Sequence, residues 1–220
     1  MLSQTRNFLT ALDSNEYKEA ECQSWNSVAP AWRKWWKTIE RATEKVSRRL
    51  VELAKIRSGS KVLDIATGIG EPAITAAKQV GMSGQVLATD ISPQMLSIAR
   101  QRAASLGLQD VIEFKEGDAE TIDLPLSMFD AALCRWGLML FPDPKAGLSN
   151  INKSLVNGGH FAGAVWSSPD KVPFLFVPIS SILKETNSPP PPPEAPGPFT
   201  LSDENTIRSC TLYDMDTISY

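Results

Sequence analysis

The sequence has a single histidine, three cysteines and no surplus of basic charge. Each shortage narrows the chemistry. His160 stands near the start of a candidate strand, away from any site built on strand tips, so it is read as structural and not as a general base. Cys22, Cys134 and Cys210 form no C-x-x-C pair and no framework spacing. They are expected to be reduced, buried thiols. No metal-ligand cluster is visible, so no metal is expected. Lysine and arginine number 22 against 25 acids, a net charge of −3, which lacks the basic footprint of a nucleic-acid binder. No apolar run reaches the ~18 residues of a membrane span, and the opening residues carry no signal-peptide core. A cytoplasmic location is expected, without stable membrane insertion. Peripheral contact is conceivable through "RKWWK", residues 33–37, because aromatic and basic side chains favour a membrane interface.

What is present is an alternation of apolar runs and helical patterns. "KVLDIA" (61–66), "QVLATD" (85–90), "VIEFKEG" (111–117), "FDAALCRW" (129–136) and "GHFAGAVW" (159–166) read as strands. Several are apolar nearly throughout, as strands buried on both faces should be. Between them lie helix candidates: one opening at "EPAITAAKQV" with Pro72 in its first turn, one at "SPQMLSIARQRAASLG", and one from Pro144 to Leu155 that stops at "NGG". In the second, Ser92 is the expected N-cap, Pro93 the first helical residue and Gly107 the C′ stop. This order predicts an α/β fold, a doubly wound, mostly parallel Rossmann-like sheet with right-handed crossovers.

Three segments are expected. Residues 1–57 form a helical segment that packs on the core and caps the site, with Val46, Leu50 and Leu53 on one face and Trp32, Trp36 and Ile39 on another. Residues 58–168 form the binding core. Residues 169–220 hold a substrate-side lid, "PDKVPFLFVPISSIL" after "WSS", then the stiff tract "SPPPPPEAPGP", which is neither helix nor central strand. "LSDENTIRSC" follows as a short capped helix.

"VLDIATGIGEPA", residues 62–73, raises the question of a ligand. Thr67, Gly68, Ile69 and Gly70 turn the chain beyond the first strand, and the two glycines let backbone approach a ligand closely. Gly68-x-Gly70-x-x-Ala73 meets a dinucleotide pattern, which alone is a weak match. A pyrophosphate would seek the helix N-terminus, yet Glu71 stands there and Asp64 adds a second acid. Glu71 reads either as a complement to the helix dipole or as a guide for a cation. No Y-x-x-x-K is present.

A positively charged nucleoside, S-adenosylmethionine, fits better. Asp90 ends the second strand about 20 residues past the glycines, where an acid can accept ribose hydroxyls. "GDAE", residues 117–120, ends the third. Asp118 there can accept an adenine N–H, and the Ala119 N–H can reach a ring nitrogen. Met95, one turn into the next helix, can flank the adenine. Arg135 ends the fourth strand. An alternative has it paired with Asp143.

These stretches, with "VLATDISPQML", "FKEGDAETIDLP", "FDAALCRWGLMLFPDP" and "LVNGGHFAGAVW", resemble the successive motifs of class I SAM-dependent methyltransferases, in particular the ubiquinone/menaquinone-biosynthesis C-methyltransferase-like group. The resemblance covers roughly residues 20–205. It implies that Asp64, Ala66, Gly68 and Gly70 hold the methionine end, that Asp90 and Ile91 hold the ribose and adenine edge, that Asp118 and Ala119 hold the adenine, and that Arg135 lies beside the sulfur. Ala66 replaces a glycine of many relatives and is tolerable if its φ stays negative. Relatives often fold an N-terminal segment over the cofactor, so Trp25 or Trp32 would line the pocket.

The resemblance implies methyl transfer by in-line displacement, and the apolar, aromatic "WSSPDKVPFLFVPISSIL" suggests a small apolar or aromatic acceptor. The alternatives are a SAM-binding but catalytically silent homologue or partner subunit and, third, a NAD(P)-dependent oxidoreductase. The family sheet usually ends in an antiparallel strand pair. Here "TLYDMDTISY" supplies one short strand at most, so an open sheet edge is expected, covered by a second copy or a partner chain.

Overall fold

The computed structural model describes residues 14–191 and 195–210. The segment 211–220, expected to give one short strand, lies outside the described residues. Five strands form one parallel sheet: β1 Lys61–Ile65, β2 Gln85–Asp90, β3 Ile112–Glu116, β4 Phe129–Arg135 and β5 Leu155–Ala164. Their order is β3-β2-β1-β4-β5. The chain winds outward from β1 in one direction and from β4 in the other, so the switch point falls between these two strands. Ligand crevices in doubly wound sheets open above that point.

Side chains alternate across the strands. Val62, Ala131 and Leu133 face a core shared with α2 (Ala73–Val80) and the end of α1 (Ser14–Leu53). Leu63, Ile65, Ala132 and Cys134 face the opposite layer, which includes Ile151 of α4 (Pro144–Ser154). Asp64 therefore shares the Val62 face and points toward α2.

α3 spans Pro93–Ser105 with the predicted caps. The Ser92 hydroxyl accepts the Met95 N–H at 3.1 Å, and Gly107 is left-handed at φ +69°. Pro72 differs slightly, standing at the N-cap of α2 and not inside it. "NGG" does not precede β5 but lies within it. Phe129 pairs with Leu155 while Ala131 pairs with His160, so the extra residues bulge out around Gly158 at φ +78°. His160 sits opposite the early part of β4 and is not among the residues that line the strand-tip cavity. β5 is the outermost strand on its side among the described residues.

α1 is a single helix of 40 residues. Leu50 and Val51 reach the core, whereas Leu53 is exposed because the helix ends there and Ala54 and Ile56 take the next core positions. A helix not predicted from sequence, α5 (Pro173–Glu185), follows β5 and has no buried residue. Pro173 occupies its first turn, where proline is tolerated, and Pro178 lies inside it. α6, Glu204–Cys210, matches the short capped helix expected near the end. Among the described residues no helix is long and apolar enough to cross a membrane. Only Cys134 of the three thiols is fully buried. Cys22 and Cys210 are partly exposed.

Ala66 departs from expectation. Its φ is +57°, not negative, because the chain must reverse sharply off β1 to start the turn. A left-handed alanine costs about 1–2 kcal/mol. The Ala66 methyl is accommodated because residue 137 is glycine, and a Cβ there would collide with it. Replacing Ala66 by glycine removes the strain while loosening the unfolded chain by roughly 0.4–1 kcal/mol. The expected change in denaturant-unfolding stability is between zero and about 1 kcal/mol of gain. A clear loss would show that the methyl's packing outweighs the backbone strain.

Candidate functional site

The strand tips and α1 enclose a cavity of about 170 Å³. Its floor comes from the β1 turn (Ala66, Thr67, Gly68), the β2 tip (Asp90, Ile91) with Met95 of α3, and the β3 tip (Asp118, Ala119). Arg135 and Trp136 close it from the β4 tip. Nine of the eleven residues singled out from sequence thus meet around one hollow. Asp64 and Gly70 do not line it. Asp64, on the α2 face of β1, is fully buried, and its Oδ2 accepts the Ala73 N–H at 2.9 Å at the start of α2. Gly70 (φ +102°) serves packing, since a Cβ there would approach the Ile74 and Ala99 side chains at 3.1 and 3.3 Å. Gly68 is the glycine that faces open space, at φ +57°. A side chain there would enter the cavity.

Asp90 organises the floor. Its Oδ2 accepts the Gly68 N–H at 2.7 Å and its Oδ1 the Ser92 N–H at 2.9 Å. One carboxylate thereby ties the β1 turn to the head of α3, while the lone pairs not used remain able to accept further hydrogen bonds. Burial pushes its pKa up to about 6 despite those N–H donors. Burial also pushes Asp64 up to about 7, with Thr67, Arg135 and the Ala73 N–H offsetting only part of the shift.

Asp118 is engaged from α1. Lys18 Nζ lies 2.8 Å from its Oδ2 and 2.5 Å from Glu120. Burial tends to raise the Asp118 pKa, but Lys18 and its other donors outweigh it and hold the carboxyl below its ordinary value.

Arg135 does not pair with Asp143, which caps α4 through the Ala146 N–H. Its NH1 donates to Ser47 Oγ at 2.7 Å and Thr43 Oγ1 at 3.3 Å on α1. Glu71 is neither a bare dipole complement nor free. Its Oε2 accepts the Thr75 hydroxyl at 2.7 Å, and its Oε1 lies 3.6 Å from Arg102. Several buried polar atoms have no hydrogen-bond partner among the described residues: Asp64 Oδ1, Thr67 Oγ1, Glu71 Oε1 and Arg135 Nε. Buried polar groups are seldom left so, and Thr67, Glu71 and Arg135 all line the cavity.

The roof was only partly legible. Trp25 and Trp32, at 6.1 Å between ring centroids, line the cavity as the sequence suggested. With Trp36 they also pack on Ala29, Ile69, Met95 and Ile98, whereas Trp35 is exposed. Tyr17, Lys18 and Glu21 were missed. Their signal is the i, i+4 row of Tyr17, Glu21 and Trp25 on one helical face. Glu21 accepts the Trp25 indole N–H at 3.1 Å, and burial raises its pKa. At the β4 side, Trp136 is held at φ +60° and stacks on Trp166 at 4.3 Å, which meets Phe174 of α5 edge-on at 5.4 Å. A bulky residue in the left-handed region is a strained one, of a kind that clusters at functional sites.

Comparison with known proteins gives concordant matches. A family model described as a methyltransferase domain matches residues 56–188. The ubiquinone/menaquinone biosynthesis C-methyltransferase UbiE of Pseudomonas putida is 33% identical over 145 residues, 62% of this chain and 57% of that protein. The chain therefore spans a little over half the length of the curated relatives it matches. A candidate S-adenosyl-L-methionine-dependent methyltransferase of Methanococcus maripaludis superposes with a TM-score of 0.59 at 22% identity, over 74% of this chain and 75% of the other. The [4+2]-cyclase SpnF superposes with a TM-score of 0.53 at 25% identity, over 56% and 44%.

Proposed function

The chain belongs to the methyltransferase-domain family, and from that premise we propose that it binds S-adenosyl-L-methionine at the sheet's switch point and passes the methyl group to a small apolar or aromatic acceptor. The observation that carries this reading is the distribution of polar atoms around one cavity. At the β1–β4 end, Thr67 Oγ1 can accept a further hydrogen bond, Glu71 Oε1 has only the ion-pair approach of Arg102 at 3.6 Å, and Arg135 Nε has no acceptor among the described residues. An amino-acid tail offers donors and acceptors alike, with its ammonium toward the acids and its carboxylate toward the arginine. At the β2–β3 end, Asp90 and Asp118 face the place where a nucleoside would lie. The head of α2, which follows the turn, is not open to a pyrophosphate, since the buried Glu71 precedes it and Asp64 accepts the Ala73 N–H. The residues present therefore suit the group.

When bound, the sulfonium supplies a methyl already activated for transfer. The chain's own work is alignment and exclusion of water. Asp90 would accept ribose hydroxyls while keeping the Gly68 turn in place. Asp118 would accept the adenine amine, sharing its carboxylate with Lys18. Trp25 and Trp32 would cover the ligand, with their π faces available to a cation. Trp136, backed by Trp166 and Phe174, offers an aromatic wall on the acceptor side. A metal is not required by any of these roles. The outer edge of β5 is where a second copy or a partner chain would pair.

The likeness to a [4+2]-cyclase favours keeping one second reading, a chain that binds the nucleoside without transferring its methyl. Calorimetry with S-adenosyl-L-methionine, S-adenosylhomocysteine and NAD tests binding. The first two are expected to bind and NAD to give no signal. Incubation with methyl-labelled S-adenosyl-L-methionine and extracted metabolites tests transfer. Binding without label transfer supports the second reading, and displacement of the sulfonium nucleoside by NAD overturns both.

A further inference from the structure

We propose that Arg102 is a positioning residue that couples closure of α1 over the cavity to the shape of the β1 turn. The inference rests on the cavity's proposed ligand only for its effect on affinity, since the coupling itself is a property of the free chain. On α3, Met95, Ile98 and Arg102 recur at helical spacing on the side that meets α1 and the turn. The first two pack against Ile69 and the α1 tryptophans. An apolar residue at 102 would complete that surface. A buried guanidinium is the costly choice, and a hydrophobic substitute often serves stability as well or better. Local rules broken in this way point to a role beyond stability.

The contacts say what that role is. Arg102 NH1 donates to the Ile69 carbonyl at 2.6 Å, between the two left-handed glycines of the turn. Its NH2 donates to Glu40 of α1 at 2.6 Å and lies 3.6 Å from Glu71. The guanidinium also sits 4.5 Å over the Trp36 ring of α1. One planar group thus holds the turn's backbone on one side and the roof helix on the other. The α1 tryptophans touch the turn only through the Ile69 side chain, and the other polar ties of α1 act elsewhere: Lys18 at the β3 tip, Cys22 on the Ile91 carbonyl, Asn26 on Ser92, and Thr43 and Ser47 on Arg135. Arg102 is where the roof grips the turn whose Gly68 faces the cavity.

Lysine cannot replace this fork, because an ammonium is a point charge that cannot span the carbonyl and the carboxylate in one plane. The test uses the full chain with Arg102→Gln, Arg102→Lys, Glu40→Gln and the Glu40→Gln/Arg102→Gln pair. Amide exchange of the free chain over residues 67–71 is the first readout, and calorimetric binding of S-adenosylhomocysteine the second. Both arginine variants are expected to speed exchange at the turn roughly tenfold or more. Glu40→Gln is expected to speed it too, although Glu40 lies on another helix. The pair should be no worse than Arg102→Gln alone, the non-additivity of one shared device. Affinity should fall about tenfold in step. If Arg102→Gln does not fold, Glu40→Gln and Arg102→Lys carry the test. Unchanged exchange at the turn in folded Glu40→Gln, or additive effects in the pair, overturns the coupling. Failure of the natural chain to bind S-adenosylhomocysteine overturns the proposed ligand instead and leaves the exchange result to decide the coupling.

Discussion

Asp90→Ala is expected to weaken binding of S-adenosyl-L-methionine by roughly 2–3 kcal/mol, on the order of a hundredfold. Two losses add. The ribose hydroxyls lose a charge-assisted acceptor, and the Gly68 and Ser92 N–H groups lose the carboxylate that holds them at 2.7 and 2.9 Å. The second loss loosens the turn before any ligand arrives, so preorganisation goes as well. Asp90→Asn separates the two. Its amide oxygen can still accept one backbone N–H, but the charge is gone and its amine cannot accept the other. An intermediate affinity is therefore expected for Asn, with a melting temperature closer to the natural chain than that of Ala. Calorimetry and thermal unfolding check both variants. Equal affinity in all three proteins would remove Asp90 from the site.

Asp90 also shows how far sequence reasoning reaches. Its importance was visible because it depends on neighbours in the chain: a mostly buried strand ends at it, and a Ser-Pro cap starts a helix at once. The same locality made β1 to β4 and the caps of α3 legible. β5 was harder because its glycines suit a helix stop and a bulge equally, and only the pairing with β4 decides between them. The ties of α1 lay beyond reach for a different reason. Lys18 and Asp118 are 100 positions apart, Glu40 and Arg102 are 62 apart, and nothing in either local pattern encodes the meeting. Asp64 was legible as an acid at a strand end but not in its direction. Strand parity put it on the α2 face with Val62, where it caps a helix and lies outside the lining of the strand-tip cavity. Ala66 was misjudged in φ because the tolerance for its methyl is set by Gly137, on another strand's tip.

Acidification is expected to move stability and affinity in opposite directions. Burial holds Asp64 up to about 7 and Asp90 up to about 6, against ordinary aspartate values near ~4. Between those limits the folded chain binds more protons than the unfolded one, so stability falls as pH rises through the window. The contribution is complete below about pH 4 and is lost as pH climbs through 6 to 7. Asp118 has the opposite sign, but its depressed pKa places its loss at lower pH, outside this range. The free chain should therefore be more stable at pH 5.5 than at 7.5, by on the order of 2 kcal/mol. A sulfonium nucleoside makes the reverse demand. Its cationic groups and ribose hydroxyls favour the ionised acids, and burial raises Glu71 in the same direction. Binding must then expel protons, and affinity should fall about fourfold between pH 7.5 and 5.5 through Asp90 alone, and further where Glu71 must also ionise. Calorimetry near pH 6.5 in two buffers of different ionisation enthalpy reads the released protons directly, and thermal melts across the range read the stability. S-Adenosylhomocysteine, which lacks the sulfonium charge, should show a shallower dependence than the methylated ligand. An affinity flat across the window would mean that the acids beneath the turn never feel the ligand's charge.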